Sequence, residues 1–245
     1  MIIYVNGDSH SAGAEAANAF CFLSDDPAMT WQDHHDLTQT AAGRAPHPNN
    51  IKVSYGQKIA DHYNATLVCA AESGSSNQRI LRTTYDYLKT NPNPDLVIIG
   101  WATWEREEVI IDNKMYQFAA GLGTRDQPTI VQEHYRNWVV DRWHPNIYCK
   151  AAQQEIWTLH QKLLTKQIPH LFFNTYHYLE IPKSEQYNWG NSYIDPYHLN
   201  STYYMWLKNQ GFATVDVESH HYRANAHQAW ANHLTNILKE SIITI

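Results

Sequence analysis

The sequence predicts an α/β fold built on a parallel sheet of five strands. Three observations carry this reading. Short apolar runs bounded by Gly, Asn or Pro recur along the chain. Stretches with apolar residues at helical spacing separate them. The short runs are apolar throughout rather than alternating, as in strands covered on both faces. A β/α alternation of this kind favours parallel strands joined by right-handed crossovers.

The first strand is MIIYV at 1–5, the second ATLVCA at 65–70 and the third DLVIIG at 95–100. HLFFN at 170–174 is the fourth, and FATV at 212–215 is a weaker fifth. Helical patterns lie between them. One covers 54–63, and one covers 76–90 with Ile80, Leu81, Tyr85 and Leu88 on one face. A third covers 150–167 with Ile156, Leu159, Leu163 and Leu164, and a fourth covers 226–241 with Trp230, Leu234 and Ile237. Two stretches break the rhythm and read as insertions, 13–50 and 105–127. The second holds VIIDNKMYQF, a hairpin pattern turning at Asp112 and Asn113. The segment 184–204, rich in Tyr, Asn and Trp, reads as irregular. There is no internal repeat and no composition shift that marks a boundary, so 1–245 reads as a single domain.

Hydrophobic residues make up 43% and charged residues 17%, which excludes a disordered or coiled-coil chain. The net charge of −6 comes without any Lys/Arg run, so neither a nucleic-acid partner nor an anionic membrane surface is expected. The apolar start is too short, and lacks the basic flank, for a signal peptide, and no run is long enough to span a membrane. A cytoplasmic or virion-associated protein is expected. Cys21, Cys69 and Cys149 form no C-x-x-C and do not read as a disulfide framework. In place of charge the chain carries 9 Trp, 16 Tyr and 15 His, side chains with an apolar body and a polar tip that suit core rims and sugar-binding surfaces alike.

Polar turns follow the strands. The first strand runs into Gly7-Asp8-Ser9-His10-Ser11-Ala12-Gly13 and the second into Glu72-Ser73-Gly74-Ser75-Ser76-Asn77. The third runs into Trp101-Ala102-Thr103-Trp104-Glu105 and the fifth into Glu218-Ser219-His220-His221. In an open parallel sheet these ends share one edge, where ligands bind.

GDSHSAG resembles the first block of the SGNH/GDSL hydrolases, in which the serine is the nucleophile. SGSSNQRI resembles their second block, and HHYRANAHQAWANHL resembles the last. The resemblance implies a three-layer α/β/α, flavodoxin-like fold with long loop insertions. It implies an esterase that forms an acyl-enzyme and needs no cofactor. Ser9 takes the nucleophile position and His221 that of the base. Asp8 braces the turn. Glu218, three residues before His221, takes the place of the family's Asp, with Asp216 in reserve. The backbone amides of Ser9 and Gly74 take the oxyanion positions. The family's block-three Asn is not matched in IIGWATWERE, which leaves Thr103, Trp104 and Asn77 as substitute donors. The chemistry requires these types: a serine hydroxyl needs a base, and the base needs a carboxylate to fix its tautomer.

Further residues have bland alternatives. His220 competes with His221, but the six-residue spacing to His227 favours His221. His227 and His233 read as helix residues without chemistry. His10, His34 and His35, with Asp33 or Asp36, have no metal-ligand spacing, so no metal is expected. Arg106, between Glu105 and Glu107, can clamp an acidic substrate group. The substrate class implied is a small-molecule or carbohydrate ester, with O-acetyl groups first. The rival reading is a catalytically degenerate binding or structural protein, which leaves open a homo-oligomer or a component of a virion. A lipase or thioesterase of the same fold would instead need an apolar acyl channel.

Overall fold

The computed structural model describes residues 1–27, 45–120 and 128–241. Its strands are β1 (Ile2–Gly7), β2 (Thr66–Cys69), β3 (Leu96–Trp101), β4 (Arg106–Ile111), β5 (Lys114–Ala119) and β6 (His170–Asn174). Its α-helices are α1 (Ser9–Ala12), α2 (Pro48–Ile51), α3 (Tyr55–His62), α4 (Asn77–Thr90), α5 (Thr129–Asn137), α6 (Pro145–Thr165), α7 (Tyr203–Asn209) and α8 (Ala224–Ser241).

Four strands pair in parallel in the order β2-β1-β3-β6. This is the doubly wound order 2-1-3-4 of flavodoxin-like sheets, with its switch point between β1 and β3. Side chains alternate across the sheet. Ile3, Val5, Leu96, Ile98, Leu171 and Phe173 face one layer, packing with Tyr55 and Ile59 of α3, Tyr203 and Leu207 of α7, and Trp230, Leu234 and Leu238 of α8. Tyr4, Val97, Ile99, Trp101 and Phe172 face the other, against Ile80, Leu81 and Leu88 of α4 and Ile156, Leu159 and Leu163 of α6. The three-layer α/β/α arrangement expected from the sequence is therefore observed.

The expected fifth strand is not. Among the described residues, 212–215 contributes only an isolated antiparallel bridge, Thr214 to Tyr222. Asp216 is the reason. Its Oδ1 accepts the backbone N–H groups of Glu218 and Ser219 at 2.8 Å each, a local turn that competes with a sheet ladder. The hairpin β4–β5 does turn at Asp112 and Asn113, both left-handed (φ 50° and 60°), as a tight two-residue turn requires. The helix expected from 150 begins earlier, at Pro145, because Pro is tolerated in the first turn. The helices α5 and α7 were not expected. α7 is capped by Thr202, whose hydroxyl accepts from the Met205 N–H.

Two glycines bring the first turn down onto the sheet. Gly7 (φ 153°) and Gly100 are register partners on β1 and β3. A Cβ on Gly7 would lie 2.1 Å from Ser11 Oγ, and one on Gly100 would lie 2.6 Å from the same atom. Only glycine lets α1 start this close to the strand ends.

Candidate active site

β1 ends at Gly7, and the chain enters α1 at Ser9. Asp8 caps this helix, its Oδ1 accepting the His10 N–H at 3.0 Å. Its Oδ2 accepts from Thr175 Oγ1 at 3.0 Å and lies 3.7 Å from Arg106, so Asp8 ties the turn to the chain leaving β6 and to β4. Burial raises the Asp8 pKa; Arg106, Thr175 and the His10 amide work against that rise. Ser9 is 7% exposed and opens onto a cavity of about 680 Å³ at the C-terminal ends of the parallel strands.

The chain leaves α1 through Gly13 (φ 69°) and then Glu15, a non-glycine residue in the left-handed region at φ 62°. This bend is braced from α2: Asn50 Oδ1 accepts the N–H groups of Ala17 and Asn18, and Asn50 Nδ2 donates to the Phe20 carbonyl. The braced bend puts Glu15 against the loop before α8. Its Oε2 lies 2.5 Å from His221 Nδ1 and accepts from Ser219 Oγ at 2.7 Å. Ser219 Oγ in turn accepts the His221 N–H at 3.0 Å.

The carboxylate on His221 is therefore Glu15 and not the expected Glu218. Glu218 and Asp216 are exposed residues of the cavity wall, and their recorded bonds serve the Asp216 turn. Glu15 is 206 positions upstream of the histidine, inside a segment read as an insertion. No local spacing signals such a pair.

His221, Gly74 and Thr103 line the same cavity as Ser9. Gly74 is left-handed (φ 76°) in the turn after β2. Thr103 Oγ1 lies 2.9 Å from His177 Nδ1. Two other expected donors are directed elsewhere. The Trp104 indole N–H donates to the Tyr178 carbonyl at 3.2 Å, and its ring packs with Cys149, Leu179 and Ile181. Asn77, 3% exposed at the start of α4, lines a different pocket that it shares with Trp104 and Tyr148. Arg106 also lines the main cavity, held by the Ser75 carbonyl at 3.2 Å.

Histidines fall into distinct roles. His220 sits beside Tyr176 at 5.3 Å between ring centroids, and Tyr176 beside Tyr204 at 4.7 Å, forming an aromatic rim. His10 packs edge-on against His221 at 5.2 Å. Burial above all, with His221, Arg106 and His220 adding to it, lowers the His10 pKa well below the usual range, so a neutral ring stands behind His221. His227 is fully buried, its Nδ1 accepting the Tyr55 N–H at 3.3 Å, and it joins α8 to α3. Burial, then His10 and His221, lowers its pKa to about 3. His233 stacks on Trp206.

His34, His35, Asp33 and Asp36 lie outside the described residues. Among those described, one group offers converging ligand atoms for a metal: Glu15, Cys21 and His221, all within 4.8 Å of one another. No described helix is long and apolar enough to cross a membrane.

No protein-family model matches the chain, and no curated protein matches it in sequence. Solved structures do resemble it. A protein assigned to the G-D-S-L lipolytic family from Desulfitobacterium hafniense DCB-2 is 11% identical, with a TM-score of 0.43, 97% of this chain and 99% of that one being covered. A carbohydrate esterase family 2 enzyme with a carbohydrate-binding domain, from Corynascus thermopiles (Myceliophthora fergusii), is 15% identical with a TM-score of 0.46, over 97% of this chain and 65% of that one. The acetyl xylan esterase AlAXEase is 11% identical with a TM-score of 0.46, over 96% and 98% of the two chains. Likeness at this level does not decide chemistry; side-chain geometry does. In this structure Ser9 follows the first strand of a doubly wound parallel sheet and His221 precedes the last helix.

Proposed function

We propose that the chain is a serine esterase that cleaves a small ester through an acyl-enzyme, with carbohydrate O-acetyl groups as the substrate class. The observation that carries the reading is the Glu15–His221 pair on the wall of the cavity that Ser9 lines. With Nδ1 donating to Glu15, the neutral imidazole keeps Nε2 as its base. Nε2 takes the Ser9 proton as Oγ bonds to the ester carbonyl carbon. It then returns that proton to the departing alcohol oxygen as the C–O bond breaks. Water repeats the cycle on the acyl-enzyme and releases the acid and free Ser9. The Ser9 and Gly74 amides stabilise the oxyanion, and Thr103, which lines the cavity, is the side-chain candidate for the unmatched Asn role. The Tyr176–His220 rim offers an amphipathic wall to a sugar ring.

The test is labelling with a fluorophosphonate probe, followed by a panel of acetylated sugars and short acyl esters. Wild type should label, while Ser9→Ala and His221→Ala should not. One observation favours the degenerate binding protein instead: Trp104 and Asn77, two of the three substitute donors, are not in the cavity. Loss of one oxyanion donor slows such enzymes by about 10²–10³-fold. A well-folded wild type that fails to label would establish that second reading.

A further inference from the structure

We infer that Glu15, Cys21 and His221 form a binding site for a single Zn²⁺ ion, and that zinc there switches the esterase off. The inference rests on the active-site reading above for its consequence, but not for the site itself. Oε2 or Oε1 of Glu15, Sγ of Cys21 and a ring nitrogen of His221 all lie within 4.8 Å of one another, and the three residues line one wall of the main cavity. A carboxylate, a thiolate and an imidazole together suit zinc better than magnesium or calcium, which prefer oxygen alone.

Zinc bonds of about 2.0–2.1 Å to N and O and about 2.3 Å to S put tetrahedral ligands about 3.3–3.7 Å apart. The Glu15–His221 contact must therefore open from 2.5 Å by roughly 1 Å, and Cys21 must close by at most about 1.5 Å. Both are side-chain rotations. The cavity leaves a fourth position for water.

Binding releases the Cys21 thiol proton to solvent, while the proton held between His221 Nδ1 and Glu15 is replaced by one on Nε2, so the ring binds zinc as neutral imidazole and no longer offers Nε2 as a base. Zinc then occupies the nitrogen and the carboxylate whose mutual hydrogen bond orients the base. The ion and the working pair are mutually exclusive, so zinc inhibits reversibly and a chelator restores activity.

Calorimetric titration of the full chain with ZnCl₂ should show a one-to-one step, and Co²⁺ should give a thiolate charge-transfer band. Cys21→Ser should abolish that band, and Cys21→Ser and Glu15→Gln should each weaken Zn²⁺ binding at least about tenfold. Fluorophosphonate labelling of wild type should slow with Zn²⁺ and recover with chelator. The ratio of labelling rates with and without Zn²⁺ should move toward one in Cys21→Ser. Melting curves report whether each variant is folded, and either folded variant decides the matter. An unchanged zinc affinity in a folded variant overturns the site, whichever other histidines bind the ion. Faster labelling with zinc overturns the competition. If wild type never labels, the esterase reading fails while calorimetry and the Co²⁺ band still decide the metal site.

Discussion

Glu15→Gln preserves the length of the side chain and removes its charge, so it isolates what the carboxylate does for His221. The two side chains are 17% (His221) and 19% (Glu15) exposed, a setting in which an effective dielectric near 20 applies. Opposite unit charges centred about 4 Å apart then attract by about 4 kcal/mol. The neutral ground state does not feel that attraction; the imidazolium of the transition state does. Its loss alone slows the chemical step by about 10³-fold. Loss of tautomer control extends the expected fall toward about 10⁴-fold. The fall should appear in kcat with KM little changed, because the interaction is made in the transition state. Glu218→Gln, by contrast, should stay within about threefold, since an exposed carboxylate couples weakly to its surroundings. Hydrolysis of p-nitrophenyl acetate by both variants and wild type, with melting curves as the folding control, measures this. Equal losses in the two variants, or a loss confined to Glu218→Gln, would refute the assignment of Glu15.

Three other outcomes follow from the same structure. His227 is buried neutral with its pKa lowered to about 3, so its contribution to stability is whole above about 6.5 and is lost as pH falls toward 3. By about pH 5 this group alone should lower stability by about 2 kcal/mol, read as a shift in urea midpoint that His227→Gln removes. Gly7→Ala should destabilise by about 3 kcal/mol or more, because its Cβ would meet Ser11 Oγ at 2.1 Å and the Gly100 carbonyl at 2.6 Å; calorimetry of the melting transition measures it. Thr103→Val should lower kcat by about 10–100-fold if its hydroxyl serves the oxyanion, while Asn77→Ala should leave kcat within about threefold; steady-state kinetics on the same ester separates the two.

The parts of the fold that the sequence made legible are those set by local pattern. The buried strands read as unbroken apolar runs, and α3, α4, α6 and α8 as helical spacing, because each pattern answers to a single neighbouring layer. The hairpin was legible from Asp112-Asn113, whose side chains tolerate left-handed backbone. FATV at 212–215 misled because its apolar character says nothing about Asp216 just beyond it, which bends the chain through its own side chain. The helix α7 was hidden for the opposite reason. YYMWLKN is rich in aromatic residues of modest helix propensity, and it is held by the Thr202 cap and by burial of Tyr203 and Leu207.

The same division runs through the site. That Ser9 and His221 line one cavity was legible because each belongs to a contiguous motif at a chain turn. The carboxylate was not, because its role depends on the path of a loop far away in sequence. Glu218 had the right spacing to His221, but spacing matters only if the intervening backbone returns the side chain to the ring. Here Asp216 takes the backbone amides of 218 and 219 for its own turn, while Ser219 reaches Glu15. Glu15 arrives by a different device: a left-handed step at Gly13, a second at Glu15 itself, and a brace from Asn50. A non-glycine residue held in that backbone region costs about 1–3 kcal/mol, and such strain persists where surrounding contacts enforce it. Those contacts come from Asn50 on one side and His221 and Ser219 on the other, so the strained residue is also the one that holds His221 Nδ1. This linkage predicts that Asn50→Ala, remote from the cavity wall, lowers kcat by loosening Glu15. Restoring the amide with Asn50→Gln should recover little of it, because the longer side chain cannot present its amide oxygen to both Ala17 and Asn18 from the same backbone position. If Asn50→Ala leaves kcat unchanged in a folded protein, the bend is held by Glu15's own contacts, and the brace is structural alone.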